Sequence, residues 1–401
     1  AWVMTPCNCL IWVRQLHGVM THAITVCQAT TPADMAAFIS LPYDLYRGDS
    51  SWRPPLRLLE RDRFNPDKNP GLERLDLIYW LAKSGDKIVG RCASFLNHVH
   101  LETHGDETGH FGFLDTDSGY PEAIPALLKA SEDWLRAKGM KHIGGPYNFS
   151  VNEECGMLID GFDTPQMMLM PHGRPDYPAA MEANGFSKAM DTFAFLGNTV
   201  DGYPRPPIVQ KMQAYVEKSS SLTIRPMKSD AFEDEITLAM DIFNDAWSNN
   251  WNYVPYSDAQ VQHMANDLKA LIEPAGFWFG EVDGVAKGFV LMLPNVNEAV
   301  RDLDGRLLPL GWAKFLWRLK VSGVKSARIP LMGIRKDIQK KRSGSALMLS
   351  LFETCYGAMR PKGIHDVEMS WILEPNIDVQ NMIRLSTADI YKTYRLYTKP
   401  L

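Results

Sequence analysis

The sequence predicts a mixed α/β protein that is built from two similar domains in tandem. Its 401 residues exceed the size at which one hydrophobic core usually keeps growing, so two domains are expected. Apolar residues make up 45% of the chain and charged residues 22%, which is ordinary for a globular protein. The order strand, helix, three strands, helix, strand, helix, strand occurs twice. This repeat favours two mixed α/β domains over one large sheet.

The first copy of this order is predicted at residues 21–200. Thr31 suits the N-cap of its first helix, which is expected to run through Phe38, and Pro32 suits the first helical position. Ser84-Gly85-Asp86 predicts a hairpin turn. The strands are predicted at 21–26, 78–81, 88–93, 110–114, 142–146 and 191–196, and the further helices at 121–138 and 177–184.

The second copy is predicted at residues 222–401. Apolar residues recur at helical spacing between 230 and 247, and Asp283-Gly284 is a strong hairpin signal. Residues 201–221 are expected to link the two copies, with 203–207 as the stiff part of the linker. The strands are predicted at 222–225, 277–282, 286–293, 329–334, 365–373 and 391–397, and the second helix at 346–359.

The first 20 residues are expected to be a leader without a function of its own. They are apolar in patches but lack the signal-peptide order of charge, apolar core and cleavage site, and Met20 is a plausible initiator. No run approaches the ~18–20 apolar residues of a membrane span. Six scattered cysteines are too few for a disulfide scaffold, so a reducing, cytoplasmic setting is expected.

The charge balance argues against nucleic acid as a partner. The formal net charge is -5, so the whole molecule carries no field that attracts nucleic acid or anionic lipid, and any anion site must be local. Cys7 and Cys9 form a lone C-x-C without a second ligand pair nearby, so no metal is expected.

One local anion site is predicted after the strand at 329–334. Gly344 and Ala346 allow close approach of a phosphate, and the helix that opens at Ser345 supplies backbone N–H donors and a positive end. The alternative is a solvated basic loop. Five cations within eight residues supply positive charge: Arg335, Lys336, Lys340, Lys341 and Arg342.

This loop resembles the acetyl-CoA loop of the GNAT N-acyltransferase superfamily, [Q/R]-x-x-G-x-[G/A]. Residues 341–346 fit it, except that Lys341 stands where Gln or Arg is usual. The resemblance implies two GNAT-like domains, with an acyl-CoA co-substrate bound by the second. The residues that it implies for acyl-CoA binding are Ile334, Arg335, Gln339, Lys341, Arg342, Ser343, Gly344, Ser345 and Ala346, with Asn376 on the pantetheine arm.

The corresponding loop of the first copy has the opposite charge. Residues 115–121 read Asp-Thr-Asp-Ser-Gly-Tyr-Pro, which is acidic and lacks the paired small residues. Such a loop should repel a pyrophosphate, so the first domain is expected to be a degenerate copy.

Most of the chain from Met20 onward is similar to one bacterial double-GNAT family. The segments that carry this resemblance are 145–156, 161–165, 370–376 and 391–397. The family is similar to the bacterial ceramide synthases, which N-acylate a long-chain sphingoid amine with an acyl thioester. The resemblance therefore implies an N-acyltransferase whose acceptor is an amine of this type.

Candidate catalytic residues lie near the end of the chain. Glu368 is central on the strand at 365–373, where a GNAT-like fold places the thioester cleft, and it is the first candidate for a base or an amine anchor. A structural ion pair is the equally weighted alternative. Tyr391 and Tyr394 are candidates for the acid that protonates the leaving thiolate, although many GNATs carry that tyrosine in the last helix.

Candidate substrate-binding residues occur in both copies. Asn148 and Asn152 follow a buried strand of the first copy, with Glu153 as a second candidate base, and a turn network is the alternative there. Ser370 and Trp371 are the candidates in the second copy. Asn376 is equally suited to cap the next helix.

The segment 307–320 combines aromatic and basic residues. Trp312, Phe315, Leu316 and Leu319 can share one helical face, with Trp317 nearby, which suits an interfacial helix in peripheral contact with a membrane. A helix packed on its own domain is the alternative.

The resulting hypothesis is a cytoplasmic N-acyltransferase, with peripheral membrane contact through 307–320 as an open option. One alternative is an acyl-CoA sensor of the same fold without turnover. Another is a nucleotide pyrophosphohydrolase, which would need a Mg²⁺-binding carboxylate cluster that the basic loop lacks.

Overall fold

The computed structural model describes residues 2–4, 10–12, 23–198, 206–269, 271–386 and 388–401. Most of the predicted leader, including Cys7 and Cys9, and residues 201–205 of the predicted linker lie outside the described residues. The chain forms two compact units. The first unit contains Ala1–Asp191 and Tyr394–Leu401, and the second contains Thr192–Thr393.

The first unit contains a mixed sheet. Its β5 and β6 pair in antiparallel fashion, whereas β6 and β7 run parallel, and the end of the last strand of the chain pairs with β7. The strands that belong to this unit are β1 (Trp2–Met4), β2 (Leu10–Trp12), β3 (Ile24–Gln28), β4 (Leu75–Ser84), β5 (Lys87–Asn97), β6 (Thr108–Thr116), β7 (His142–Gly145), β8 (Tyr147–Asn148), β9 (Glu154–Cys155) and β10 (Met157–Asp160).

Helices pack on this sheet through apolar side chains. The helices are α1 (Pro32–Leu45), α2 (Arg57–Arg63), α3 (His98–His104), α4 (Ala123–Ala137) and α5 (Tyr177–Ala183). From α4, Leu127 and Leu135 are completely buried in a core that includes Val26 and Val89. Burial of each such side chain stabilises the fold by about 1.5–3 kcal/mol.

The first helix starts as predicted. The Thr31 hydroxyl accepts the Asp34 N–H at 3.1 Å, and the Asp34 carboxylate accepts the Thr31 N–H at 3.2 Å, which completes a capping box. The helix continues past the predicted end at Phe38 to Leu45, because its apolar face continues and Leu41 is buried.

The strands of the second unit pair in the order β11-β16-β15-β14-β13-β12. The remaining strands of the chain are β11 (Ser187–Asn198), β12 (Leu222–Pro226), β13 (Phe277–Val282), β14 (Val285–Pro294), β15 (Ser326–Ile334), β16 (Asp366–Leu373) and β17 (Asp389–Pro400). The remaining helices are α6 (Pro207–Lys218), α7 (Phe232–Trp247), α8 (Asp258–Leu268), α9 (Val296–Val300), α10 (Gly311–Trp317), α11 (Lys336–Gln339), α12 (Arg342–Met359) and α13 (Ile377–Arg384).

The closing strands do not follow the predicted domain boundaries. Residues 192–198 of β11, expected to close the first copy, pair with β16 and belong to the second unit. Residues 397–400 of β17, expected to close the second copy, pair with β7 of the first unit. The sequence of a strand does not by itself specify which other strand it pairs with.

Most of the predicted linker is helical. After Pro206, the chain forms α6 from Pro207 to Lys218, with Pro207 at the favoured first helical position. Val209 and Val216 bury one face of this helix, which packs on α12. The fold class and every predicted strand are present, whereas several helices, including α2, α6 and α8, were not predicted from the sequence.

The cysteines only partly match the expectation of reduced thiols. Cys92, Cys155 and Cys355 are buried and reduced. Cys27, in contrast, is disulfide-bonded.

Candidate functional site

The ladder between two parallel strands of the second unit ends partway along them, and we call the unpaired stretch beyond it the gap. β15 and β16 pair from Ser326 opposite Asp366 to Ile329 opposite Met369. Beyond that point β15 remains paired with β14 as far as Ile334, and within the described residues the ladder to β16 does not continue. Backbone groups of β15 and β16 that do not pair with each other can bind an extended ligand through hydrogen bonds.

The predicted phosphate loop follows the carboxyl end of β15. Helix α12 begins at Arg342, three residues before the predicted opening at Ser345, and its N-cap Lys341 makes no side-chain capping bond. The N–H groups of the first turn are therefore available to donate to an external acceptor. Gly344 is required here, because a Cβ atom would lie 2.1 Å from the carbonyl oxygen of Ile338.

Two of the five predicted loop cations are held by α7 and the residue that follows it. Arg335 is paired with Asp241, and the Lys336 ammonium donates to the Ser248 hydroxyl. Lys340, Lys341 and Arg342 are exposed, and the Arg342 guanidinium lies 4.5 Å from the centre of the Tyr215 ring. The positive charge that faces solvent at the start of α12 comes from these three.

The other predicted loop residues have structural contacts. The Gln339 amide donates to the Ile334 carbonyl at 2.8 Å, which ties α11 to β15. Ala346 is buried, Ser343 is half-buried and Ser345 is exposed. The Ser345 N–H donates to the Lys341 carbonyl at 3.2 Å, the first hydrogen bond of the helix.

In the first unit, an acid occupies the equivalent loop. The Asp117 carboxylate accepts the Gly119 N–H at 2.9 Å and pairs with Lys87 at 2.8 Å. Helix α4 then starts after Glu122, which makes no side-chain cap. The backbone donors of this loop thus already have an internal anion nearby.

Glu368 is completely buried in a hydrogen-bonded network. It lies directly opposite Arg328 in the parallel ladder, and the Arg328 Nε atom is 3.3 Å from Glu368 Oε1. The Ser370 hydroxyl donates to the same oxygen at 2.6 Å, and the Tyr391 hydroxyl donates to Oε2. The sequence-based alternative of a structural ion pair is therefore present, and it coexists with a link to a tyrosine.

Two opposing effects act on this carboxyl group. Burial raises the pKa of Glu368 above its ordinary value, while Arg328, Ser370 and Tyr391 favour the ionised form. Tyr391 is half-buried, whereas the carboxylate that its hydroxyl contacts is completely buried.

Three further candidates near the end of the chain are Trp371, Asn376 and Tyr394. Trp371 is half-buried, with the Arg328 guanidinium 5.0 Å from its ring centre. Asn376 caps α13 by accepting the Val379 N–H at 3.4 Å. Tyr394 is completely buried and belongs to the first unit, one residue beyond the end of the second.

The first-unit candidates form a second network around Arg63. The Asn148 side chain accepts the Phe113 N–H at 2.8 Å, and the Asn148 backbone carbonyl accepts a hydrogen bond from the Arg63 guanidinium. Arg63 also pairs with Glu154 at 3.2 Å and lies 3.7 Å from Glu153. These contacts form the turn network that the sequence analysis gave as the alternative to substrate binding. Nearby, the Asn152 N–H donates to the Ser150 hydroxyl at 3.1 Å.

Glu153 has an unusual proton affinity. Burial, with contributions from Glu154 and Glu60, raises the pKa of Glu153 to about 7, although Arg63 opposes this. A carboxyl group of that pKa exchanges protons near neutrality, as a general base must.

Sequence reasoning missed Arg328, Arg63 and Glu60. Arg328 lies one position before the predicted strand, and only the ladder register places it opposite Glu368. Arg63 and Glu60 belong to α2, which the sequence did not predict. The signal in the sequence that could have identified Arg328 was a cation next to a predicted strand.

No group of three His, Cys, Asp or Glu side chains with the spacing of a metal site occurs among the described residues. In the same residues, no helix has the length and apolarity of a membrane span.

Comparison with solved structures identifies the fold. The chain is similar to a tandem GNAT protein from the clavulanic acid biosynthesis pathway, with a TM-score of 0.53, 12% identity, and coverage of 94% of this chain and 98% of that chain. It is also similar to a GCN5-related N-acetyltransferase from Sphaerobacter thermophilus, with a TM-score of 0.51, 13% identity, and coverage of 94% and 95%. The fold is therefore that of a tandem GNAT protein, as predicted.

Comparison with known sequences identifies the family. The chain is 39% identical over 394 residues to protein YghO of Escherichia coli (strain K12), covering 98% of this chain and all of that protein. It is 38% identical over 379 residues to the bacterial ceramide synthase of Caulobacter vibrioides (strain NA1000 / CB15N), covering 94% and 98%. No family model matches the chain. The chain belongs to the tandem GNAT acyltransferase family that includes these two proteins.

Proposed function

We propose that the protein transfers an acyl group from acyl-CoA to the amino group of a long-chain, sphingoid-type amine. The observation that carries this proposal is the 38% identity, over nearly the whole chain, to a protein named bacterial ceramide synthase. The tandem GNAT fold, and the uncapped helix start beside exposed cations, support the acyl-CoA part of the proposal.

The pyrophosphate of CoA is proposed to bind at the start of α12. The first-turn N–H groups of this helix supply donors, and Lys340, Lys341 and Arg342 supply positive charge. The pantetheine arm is proposed to lie in the gap beyond Ile329 and Met369, where strand edges offer backbone hydrogen bonds. Asn376 already caps α13, so we propose no direct role for its side chain.

The chemistry requires one proton to move from nitrogen to sulfur. The neutral amine attacks the thioester carbonyl, the C–N bond forms, the C–S bond breaks, and the CoA thiolate takes up a proton. We propose that Tyr391 exchanges protons with the reacting groups and that Glu368 accepts its proton in turn. The contact between the Tyr391 hydroxyl and Glu368 Oε2 supports this order, because Glu368 itself is completely buried.

Glu153 is the second candidate for the base. Its raised pKa, about 7, suits the role. Asn148, Asn152, Ser370 and Trp371 stay predicted substrate-binding residues, and Tyr394 stays a predicted acid.

The experiment that tests the function is mass spectrometry of products after incubation with mixed acyl-CoAs and candidate amines. A long-chain N-acyl amine formed with release of free CoA is expected. Binding of acyl-CoA without product would favour a sensor of the same fold. Release of phosphate or pyrophosphate from nucleotides would favour the pyrophosphohydrolase alternative.

A further inference from the structure

The segment before β15 exposes an unusual amount of apolar surface. Among the described residues, six of the twelve exposed large apolar side chains belong to residues 308–321, although this stretch is a small part of the chain. We call these six the apolar crest: Leu308 (80% exposed), Leu310 (73%), Trp312 (49%), Leu316 (46%), Trp317 (57%) and Val321 (72%). Large apolar side chains that are exposed together on one segment are typical of an interaction site.

The segment that carries the crest is held on the second unit by its remaining side chains. Phe315 packs against the core of that unit, and Leu319 is half-buried. The Arg318 guanidinium donates to both carboxylate oxygens of Asp302, at 2.5 and 3.0 Å, and Lys314 donates to the same carboxylate. The predicted shared face of Trp312, Phe315, Leu316 and Leu319 is thus divided, with two residues pointing outward and two inward.

Cations outnumber carboxylates around the crest. No Asp or Glu occurs from residue 305 to residue 336, whereas Arg306, Lys314, Arg318 and Lys320 lie within or beside the crest. Asp302 offsets part of this charge, because it pairs with both Lys314 and Arg318, and the Asp304 carboxylate lies 3.7 Å from Arg306. Lys320 is exposed between two crest residues. Cations beside tryptophan and leucine are complementary to the surface of an anionic bilayer.

We propose that the apolar crest docks the protein on an anionic lipid bilayer, the source of the long-chain amine. This inference rests on the proposed function for the identity of that amine. The crest precedes the amino end of β15, whereas the start of α12 follows its carboxyl end, about 27 Å along the strand. A CoA molecule bound at α12 would therefore have its phosphates at the end of β15 that is distant from the bilayer.

The test is co-sedimentation of the full chain with vesicles of phosphatidylglycerol and phosphatidylcholine in equal parts. We expect binding at low salt, weaker binding at high salt, and weaker binding to pure phosphatidylcholine. Replacing both Trp312 and Trp317 with Ser should lower the partition coefficient at least about tenfold, because two interfacial aromatic side chains are lost. Replacing Leu58 and Leu59 with Ser is the matched control, since both are exposed (59% and 54%) on α2.

Absence of vesicle binding by the unsubstituted chain, or equal binding by the tryptophan variant, would overturn the inference. A dimer in sedimentation analysis that the same variant dissociates would also overturn it, by assigning the crest to a second copy of the chain. Acyl transfer to the amine in detergent solution separates the two proposals. The variant with both tryptophans replaced should retain acyl transfer in detergent. Absence of acyl transfer by the unsubstituted chain would contradict the proposed function and not the docking surface.

Discussion

At the scale of single residues, the second-unit site is organised by a buried carboxylate that faces an arginine. Glu368 and Arg328 lie opposite each other in the ladder, and both are almost completely buried. Removing one partner of such a pair leaves an uncompensated buried charge, which typically costs about 3–5 kcal/mol. A substitution at Tyr391 avoids this cost, because it leaves the ion pair intact.

Tyr391→Phe is therefore the sharper test of the proposed proton path. We expect kcat to fall by roughly 10²–10⁴, the range for loss of a general acid–base group, with little change in acyl-CoA affinity. Tyr397→Phe, which removes a hydroxyl from a buried tyrosine of the same strand, is the control. Steady-state kinetics with calorimetry would make the measurement, and an unchanged kcat for Tyr391→Phe would place the proton path elsewhere.

Glu368→Gln is the companion variant for the same proton path. It should lower kcat to a similar degree and should also lower the melting temperature, because Arg328 loses its charged partner. A large loss of acyl-CoA affinity in this variant would instead identify Glu368 as a support of the gap.

Charge at the start of α12 should determine the affinity for CoA. Gly344→Asp is expected to abolish binding, because a side chain meets the Ile338 carbonyl and a negative charge enters the phosphate site. Exchanging both Lys341 and Arg342 for Glu tests the charge alone, since both residues are exposed. Calorimetry should show at least about a tenfold loss, with Lys218→Glu on α6 as the control. Undiminished affinity in the double variant would exclude the loop.

The pH dependence of stability should report Glu153. Because burial raises the pKa of Glu153 to about 7, the folded state favours the protonated form. The stabilisation from this group is complete below its ordinary pKa and is lost as the pH rises through about 7. Glu153→Gln stays neutral, so its melting temperature relative to the unsubstituted chain should increase between about pH 5 and pH 8. A constant difference across this range would contradict the raised pKa.

At the scale of elements, the N–H groups at the start of a helix can bind a ligand or can be hydrogen-bonded within the protein. α12 has no side-chain cap, whereas α13 is capped by Asn376 and α1 by Thr31. In the first unit, Asp117 lies in the loop before α4 and accepts a backbone N–H. The uncapped α12, beside exposed cations, is accordingly a helix start suited to an external anion.

Replacing Asn376 distinguishes a cap from a pantetheine contact. Asn376→Ala should destabilise the protein by about 0.5–2 kcal/mol, because α13 loses its cap, and it should leave acyl-CoA affinity unchanged. Asn376→Asp should restore most of the stability, since aspartate caps equally well. Chemical denaturation with calorimetry would make the comparison, and a loss of affinity at preserved stability would favour the pantetheine contact.

At the scale of the whole molecule, the first unit is completed by a strand from a distant part of the sequence, whereas the second unit is one continuous segment. The first unit takes the last eight residues of the chain, in which Leu396 and Tyr397 are almost completely buried. The Lys399 ammonium pairs with Glu132 of α4 at 2.6 Å, within the same unit. The first copy in the sequence is therefore not a complete structural unit.

Deletion of residues 394–401 should unfold the first unit, because its sheet loses a strand and several buried side chains at about 1.5–3 kcal/mol each. Leu396→Ala is the milder variant, with an expected cost of about 2–5 kcal/mol, and Thr398→Ala on the same strand is the control. Hydrogen exchange should lose protection in β6 and β7 after the deletion. Retained protection there would show that the first unit folds without β17.

The sequence by itself determined the class of fold, the two copies, the strands and the position of the basic loop before α12. These follow from local signals: apolar alternation, the Thr31 cap, the hairpin turns, and small residues beside cations at residues 335–346. The family resemblance from segments such as 145–156 also came from sequence. Such signals depend on neighbours within a few residues.

Only the tertiary structure decided which strand each closing strand pairs with and which charges meet. The ladder register places Arg328 opposite Glu368, and contacts with Asp241 and Ser248 remove Arg335 and Lys336 from the set of solvent-facing loop cations. Residues 397–400 pair with β7, which lies far earlier in the chain. The physical reason is that strand pairing and ion pairing depend on neighbours in space, which lie far away in the sequence.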